Sequence, residues 1–183
     1  MRTAFTQKMT LSALLCALLC VLSQIQIPLP PIPISMALLA VYLCGALLGS
    51  RWGAAAVLSY VLLGASGVPV FAGFAGGLSM LLGPTGGFLA GYVLCAQLTG
   101  ALVRRFGFSR RSLILSMSAG TLACYLPGTL WFMLLSGTSA AQSLAACVLP
   151  FLPGDCLKIL FAAALCRRLQ KPLRAAGLCL YLP

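Results

Sequence analysis

The chain has 183 residues, of which 61% are hydrophobic and only 7% are charged. A soluble domain has about 25% charged residues, so the composition excludes an ordinary soluble fold and favours a membrane protein surrounded by lipid. Twelve lysines and arginines accompany a single acid, Asp155, which gives a net charge of +11. We nevertheless expect no nucleic-acid partner, because too few polar side chains remain to build a soluble binding module.

The side-chain inventory also excludes most enzymes. General acid–base and metal-assisted catalysis use histidine and carboxylates, and the chain has no histidine and only one carboxylate. We therefore predict no catalytic residue, no cofactor and no metal site. A serine nucleophile paired with Lys158, either Ser59 or Ser79, is the one enzymatic alternative left open. The nine cysteines form no C-x-x-C pair, and we expect them to be small buried residues.

The apolar runs predict an all-α integral membrane protein, with one membrane domain over residues 1–183 and six transmembrane helices in one bundle. Six spans of about 20 residues leave no room for a folded soluble domain. The first run resembles a signal peptide, but it leads into prolines instead of a small-residue cleavage site, so we expect it to be retained. The predicted spans are residues 9–25, 35–50, 53–66, 86–103, 112–135 and 144–166.

Two segments between these spans cannot be ordinary membrane helices. Residues 27–33 contain four prolines, which favour a stiff, extended connection. Residues 67–87, the Gly-rich segment, are apolar but dense in glycine. Irregular backbone at membrane depth is tolerated only where protein or a cavity surrounds it. We therefore predict that both segments are outer loops and that the second, with Gly76, Gly77 and Ser79, is a binding loop.

Aromatic residues flank or lie within the Gly-rich segment. They either line a mostly apolar pocket or form a belt at the membrane surface, and their spacing does not distinguish the two. They are Tyr60, Phe71, Phe74, Phe88 and Tyr92.

The basic residues fall on one side of this topology. If the six spans alternate, eleven of the twelve lie in the termini and loops of that side, and the three opposite loops contain none. Lysine and arginine are enriched on the cytoplasmic side of membrane proteins. We therefore predict that both termini are cytoplasmic and that the Pro-rich and Gly-rich loops face outward.

The twelfth basic residue, Lys158, lies inside a predicted span with Asp155 three residues before it. A charge at the centre of a membrane helix costs about 2.5–3.5 kcal/mol and marks a functional site by default. Spacing of three residues places the two side chains on one helix face. The pair either forms the polar floor of a pocket for a small solute or only fixes helix packing.

Small residues recur at spacings of four. Ala13 and Ala17 lie on one face of the first predicted helix, and glycines repeat at this interval over residues 45–53 and 83–91. Such patterns allow membrane helices to approach closely. We expect the glycine repeats to serve internal packing.

Four motifs, in order along the chain, resemble the signatures of the BioY family. They are IPLPPIPIS at residues 27–35, GVPVFAG at 67–73 followed by the glycines at 76 and 77, LGPTGGF at 82–88, and PFLPGDCLK at 150–158. The resemblance covers nearly the whole chain. It implies the biotin-specific substrate-binding subunit (S component) of an energy-coupling-factor (ECF) vitamin transporter in the prokaryotic cytoplasmic membrane.

The resemblance also implies partners and site residues. The partners are a transmembrane coupling protein (T component) and two ATP-binding-cassette ATPases, and biotin is the ligand. The motif P-G-D-x-x-K contributes polar contacts to the vitamin in that family, which assigns this role to Asp155 and Lys158. Small residues on the first helix of such subunits face the coupling protein, which assigns a docking role to Ala13 and Ala17. Tyr92, one of the aromatic residues around the Gly-rich segment, is also a predicted binding residue.

One position departs from the family pattern. Family members often have a glutamine where this chain has Ala37, so we consider Ser79 and Gln97 as polar substitutes. The difference keeps a second ligand open, such as a biotin precursor or another small vitamin. A purely structural or scaffolding membrane protein is the remaining alternative.

Overall fold

Helices dominate the part of the chain that the computed structural model describes, residues 2–28 and 32–175. Over these ranges it forms seven helices and one short antiparallel hairpin. The hairpin pairs β1 (Gln26–Ile27) with β2 (Ile34–Ser35) and flanks the Pro-rich segment, whose centre, residues 29–31, lies outside the described residues. The helices are α1 (Arg2–Gln24), α2 (Ala37–Ala65), α3 (Leu78–Leu82), α4 (Gly86–Phe106), α5 (Arg110–Ser136), α6 (Ala140–Cys147) and α7 (Leu152–Ala175).

Helix α2 doubles back on itself at Gly49. This residue has a positive φ of 79° with ψ at −179°, a conformation that glycine adopts without steric cost. A Cβ at Gly53 would lie 2.5 Å from the carbonyl oxygen of Cys44, although a straight helix would separate these residues by about 13 Å. Ala37 and Tyr60, near the two ends of α2, also line one small cavity. The two halves are therefore antiparallel neighbours.

Helix α4 packs against both α2 and α5 through glycine. A Cβ at Gly100 would lie 2.4 Å from the backbone nitrogen of Ser50, beside the α2 reversal. On the side of α5, a Cβ at Gly91 would lie 2.7 Å from the carbonyl oxygen of Cys124. Gly45 in α2 likewise faces the Ala96 carbonyl. The prediction that glycine repeats serve close helix packing is confirmed at Gly45 and Gly91, whereas Gly100 lies outside the predicted repeats.

The two ends of the helices differ in charge. The ring centroids of Phe5 and Trp52 are 5.4 Å apart, so the start of α1 lies beside the reversal of α2. Gly100 on α4 contacts the same reversal. Arg104 follows it in sequence by one helical turn, and the α4–α5 connection comes next. These arginine-bearing segments form the basic end. The hairpin, the Gly-rich segment and the α6–α7 junction form the opposite, loop end.

Exposed leucines cover the outer side of the helices. Leu122, Leu126, Leu130 and Leu134 on α5 are all more than half exposed and are spaced by four residues, so they form one apolar face. Such a continuous exposed patch indicates contact with lipid or protein. Among the described helices, α1, α2, α4 and α5 are each long and apolar enough to cross a membrane, and α6 with α7, bent by 50° at their junction, qualifies as a further span.

Several predicted boundaries differ from the structure. The predicted span 144–166 is two helices, because Pro150 lies between α6 and α7 and Pro153 lies in the first turn of α7, where a proline costs no helical hydrogen bond. The short α3 lies inside the Gly-rich segment, where no helix was predicted. Six of the eight described cysteines are buried, as expected, but Cys156 is exposed, and Cys179 lies outside the described residues.

Substitution Gly100→Ala is expected to destabilise the protein by about 1–3 kcal/mol, because the added methyl group overpacks a backbone contact. Gly154→Ala is the matched control, since a Cβ there would meet no atom closer than 4.0 Å. Thermal unfolding in detergent should show a lower Tm for Gly100→Ala only. Equal Tm values for the two variants would contradict the proposed α2–α4 contact.

Candidate functional site

Asp155 and Lys158 form a buried ion pair on α7. The lysine Nζ lies 2.8 Å from the carboxylate Oδ1, and both side chains are more than nine-tenths buried. Asp155 lies in the first turn of α7, where the helix dipole favours a negative charge. The predicted spacing is therefore confirmed as a direct contact.

Tyr125 on α5 also contacts the ion pair. Its hydroxyl donates a hydrogen bond to Oδ2 of Asp155, so each carboxylate oxygen has a partner. A carboxylate has about four acceptor positions, and these two bonds leave lone pairs on both oxygens. Tyr125 could not be predicted as a site residue, because nothing in the spacing of α5 relates it to α7.

A small, partly open cavity, here called the central cavity, adjoins the ammonium group at the loop end. Its volume is about 70 Å³, well below the roughly 300–1,000 Å³ of pockets that hold drug-sized ligands. Most of its walls are apolar or aromatic, and Lys158 is its one charged lining residue. The lining residues are Ile32, Pro33, Ser35, Ala37, Leu38, Tyr60, Phe71, Ala72, Met80, Thr85, Phe88, Leu89, Tyr92, Phe151 and Lys158.

The Gly-rich segment covers this cavity with Phe71. The ring is 2% exposed and meets Tyr60 edge to face at 5.4 Å between centroids. A Cβ at Gly64 would lie 2.0 Å from the Phe71 ring, so the ring occupies space that only a glycine provides. The backbone N–H of Phe71 donates to Ala75 O at 2.9 Å, which closes a tight turn at the surface.

The predicted binding residues divide into two groups. Lys158 and Tyr92 line the central cavity. Asp155 contacts Lys158 but is not itself a lining residue. Among the aromatic residues flagged in the sequence, Tyr60, Phe71 and Phe88 also line it, which favours a pocket over a surface belt for these three.

The remaining predictions lie outside the cavity lining. Ser79 and Gln97 are exposed, so neither reaches the position beside Ala37. Gly77 donates its N–H to the Gly64 carbonyl oxygen at 2.7 Å, and Gly76 packs on the Val68 carbonyl. These two glycines shape the loop, and neither lines the cavity. Sequence spacing alone could not separate these positions from the lining ones.

Ala13 and Ala17 lie on an exposed face of α1. They line a surface groove of about 720 Å³ between α1 and the second half of α2, together with the small residues Ala55 and Ser59. We call this the α1 groove. Because the side chains on its floor are small, the backbone of another helix could approach closely there.

Comparison with known proteins gives one consistent family. A model of the BioY family matches residues 1–175. The chain is 35% identical over 164 residues to a protein named probable biotin transporter BioY from Pyrococcus horikoshii, covering 90% of this chain and 96% of that one. It is also 35% identical over 157 residues to the biotin transporter BioY of Thermotoga maritima, covering 85% and 90% of the two chains.

A solved structure has the same fold. It is described as the S-component for biotin from an ECF-type ABC transporter. The TM-score is 0.85 at 27% identity, and the match covers 93% of this chain and 94% of that one.

Tyr125→Phe tests the contact with the ion pair. A hydrogen bond to a charged group contributes about 1.5–3 kcal/mol, against about 0.5–1.5 kcal/mol for a neutral one. The control is Tyr42→Phe, which removes a buried bond to the Thr121 hydroxyl. Unfolding in detergent should show the larger loss of stability for Tyr125→Phe. Equal losses would indicate that the Tyr125 bond does not stabilise the carboxylate.

Proposed function

We infer that this chain, which belongs to the BioY family, captures biotin at the cell membrane as the substrate-binding subunit of an ECF transporter. It is a transport protein and not an enzyme. The observation that carries the inference is the buried Asp155–Lys158 pair beside an apolar, loop-covered cavity. It lies in a chain whose relatives are named biotin transporters.

Lys158 is the proposed polar contact at the floor of the cavity. Its side chain lines the cavity. The ammonium can donate a hydrogen bond to an oxygen of the ligand, either in the carboxylate or in the ureido carbonyl. Asp155 keeps this ammonium in place through the 2.8 Å contact. Its unused lone pairs are available to a ureido N–H once the ligand has entered. Tyr125 orients the carboxylate from the opposite side.

The apolar part of the ligand is proposed to lie against the aromatic walls. Tyr92 and Phe88 come from α4, and Tyr60 from the second half of α2. Contact with such rings removes apolar surface from water, which contributes about 25 cal/mol per Å². Because the cavity volume is only about 70 Å³, binding requires the covering loops to move outward first.

The proposed topology has six membrane crossings. The reversal at Gly49 divides α2 into two antiparallel halves, and α6 with α7 supplies the last crossing. The basic end is assigned to the cytoplasm by the positive-inside rule, which places both termini there and the central cavity toward the outside. The prokaryotic cytoplasmic membrane is the proposed location.

The proposed partners are a T component and two ABC ATPases. No phosphate-binding sequence G-x-x-x-x-G-K-[ST] occurs in the chain, so the nucleotide site belongs to another subunit. The α1 groove, with Ala13 and Ala17, is the proposed docking surface for the T component.

Substitution of either charge should abolish tight biotin binding. Asp155→Ala and Lys158→Ala each remove a charged group that is proposed to contact biotin, and a hydrogen bond to a charged group contributes about 1.5–3 kcal/mol. We expect an affinity loss of about a hundredfold by isothermal titration on the purified protein. Lys171→Met, an exposed position on the same helix, is the control and should bind normally.

A double variant separates a binding role from a packing role. Asp155→Leu with Lys158→Met removes both charges, and replacing a buried ion pair by apolar residues is often neutral for stability. A folded double variant that still binds biotin would refute the site assignment. Competition with a biotin precursor in the same titration distinguishes biotin from the alternative ligand.

Bulky substitutions on α1 should weaken assembly with the T component and leave biotin binding unchanged. Ala13→Leu with Ala17→Leu fills the α1 groove and should weaken co-purification with a T component about tenfold, because close helix approach needs small side chains. Biotin binding by the isolated variant should stay at the wild-type value. Ala101→Leu, at an exposed site on α4, is the control. Unchanged assembly would contradict the docking assignment.

A further inference from the structure

The end of α1 makes direct contact with the Gly-rich segment. The Gln24 side-chain amide donates from Nε2 to the Val70 carbonyl oxygen at 3.0 Å, and its Oε1 accepts the backbone N–H of Phe74 at 2.9 Å. We call these two hydrogen bonds the Gln24 clamp. Both connect residues more than 40 positions apart in the sequence, so they tie one helix end to a distant loop.

The clamp encloses the part of the loop that covers the central cavity. Phe71 and Ala72 are the two residues of this turn that line the cavity, and they lie between the clamped Val70 and Phe74. Ser23, fully buried, also donates its hydroxyl to the Val70 carbonyl oxygen. The position of the covering residues therefore depends on side chains of α1.

The clamped turn has a backbone that needs external support. Gly73 has φ at 75° and Phe74 has φ at 56°, and a positive φ is unfavourable for a bulky residue such as phenylalanine. The Phe74 side chain is 73% exposed, so packing does not hold it. Two hydrogen bonds hold this conformation: the Phe71 N–H to the Ala75 carbonyl oxygen within the turn, and the Phe74 N–H to Gln24 Oε1 from outside it.

We propose that Gln24 is a positioning residue for biotin binding, which keeps Phe71 and Ala72 over the central cavity and so slows escape of the ligand. Gln24 is not among the residues that line the cavity, and it acts through the Val70 carbonyl and the Phe74 N–H. The proposal rests on the function inferred above.

The test is Gln24→Met, which preserves side-chain length but removes the donor and the acceptor. Loss of two neutral hydrogen bonds should increase the biotin dissociation rate about tenfold, measured by chase with unlabelled biotin. Hydrogen exchange in the segment from Val70 to Phe74 should become faster in the ligand-free protein. Gln7→Met, half-buried near the opposite end of α1, is the control and should change neither quantity.

The outcomes separate this proposal from the proposed function. Tight binding by the wild-type protein with unchanged dissociation or unchanged exchange in Gln24→Met would overturn the positioning role alone. Failure of the wild-type protein to bind biotin would overturn the function and the proposal together. If Gln24→Met lowers the Tm by more than a few degrees, Gln24→Glu replaces it, because a carboxylate keeps an acceptor for the Phe74 N–H but loses the donor to the Val70 carbonyl oxygen. Dissociation from this variant as slow as in the wild type would then overturn the proposal.

Discussion

Burial of the Lys158 ammonium in an apolar helix bundle is the constraint on which the site depends. A single buried charge is strongly unfavourable, and removal of one partner from a buried pair costs about 3–5 kcal/mol. This chain has a single acid with which to satisfy the lysine, and α7 places it one helical turn away at 2.8 Å. Tyr125 then supplies a further donor from α5. The position of α5 against α7 is thus linked to the charge of the cavity floor.

The glycine contacts of α4 provide the rigid frame for this arrangement. Gly45 and Gly100 bring α2 and α4 to backbone contact, while Gly91 does the same for α4 and α5. Backbone contacts leave little freedom for the helices to slide, because any added side chain would have to move a main-chain atom. The walls of the cavity from α2 and α4 are therefore fixed. The rest of the lining comes from the hairpin with its connection, the Gly-rich segment, Phe151 just before α7, and Lys158 on α7.

Local chemistry explains which features the sequence could predict. The intramembrane charges are visible because lipid makes them costly, and a spacing of three residues is enough to predict their contact. The reversal of α2 falls at the predicted boundary between the spans 35–50 and 53–66, although the glycine responsible for it was expected to serve packing. The break between α6 and α7 follows from Pro150 and Pro153, because proline acts on the backbone at its own position.

Contacts between distant helices could not be predicted in the same way. Tyr125 and Gln24 have ordinary helical neighbours, and their partners are 30 or more positions away. The exclusion of Ser79 and Gln97 from the cavity lining required the helix rotations that only packing determines.

The geometry of α1 connects the two proposed activities of the chain. Ala13, Ala17 and Gln24 fall within about 40° of one another around the helix, and the first and last are separated by about 16 Å along it. The face that lines the α1 groove therefore leads directly to the clamp on the Gly-rich segment. A helix transmits a rigid displacement along its length, since each turn is held by backbone hydrogen bonds. A tilt of α1 at the groove would therefore act on the Val70 carbonyl and the Phe74 N–H, whereas α4 and α5 would stay fixed by their glycine contacts.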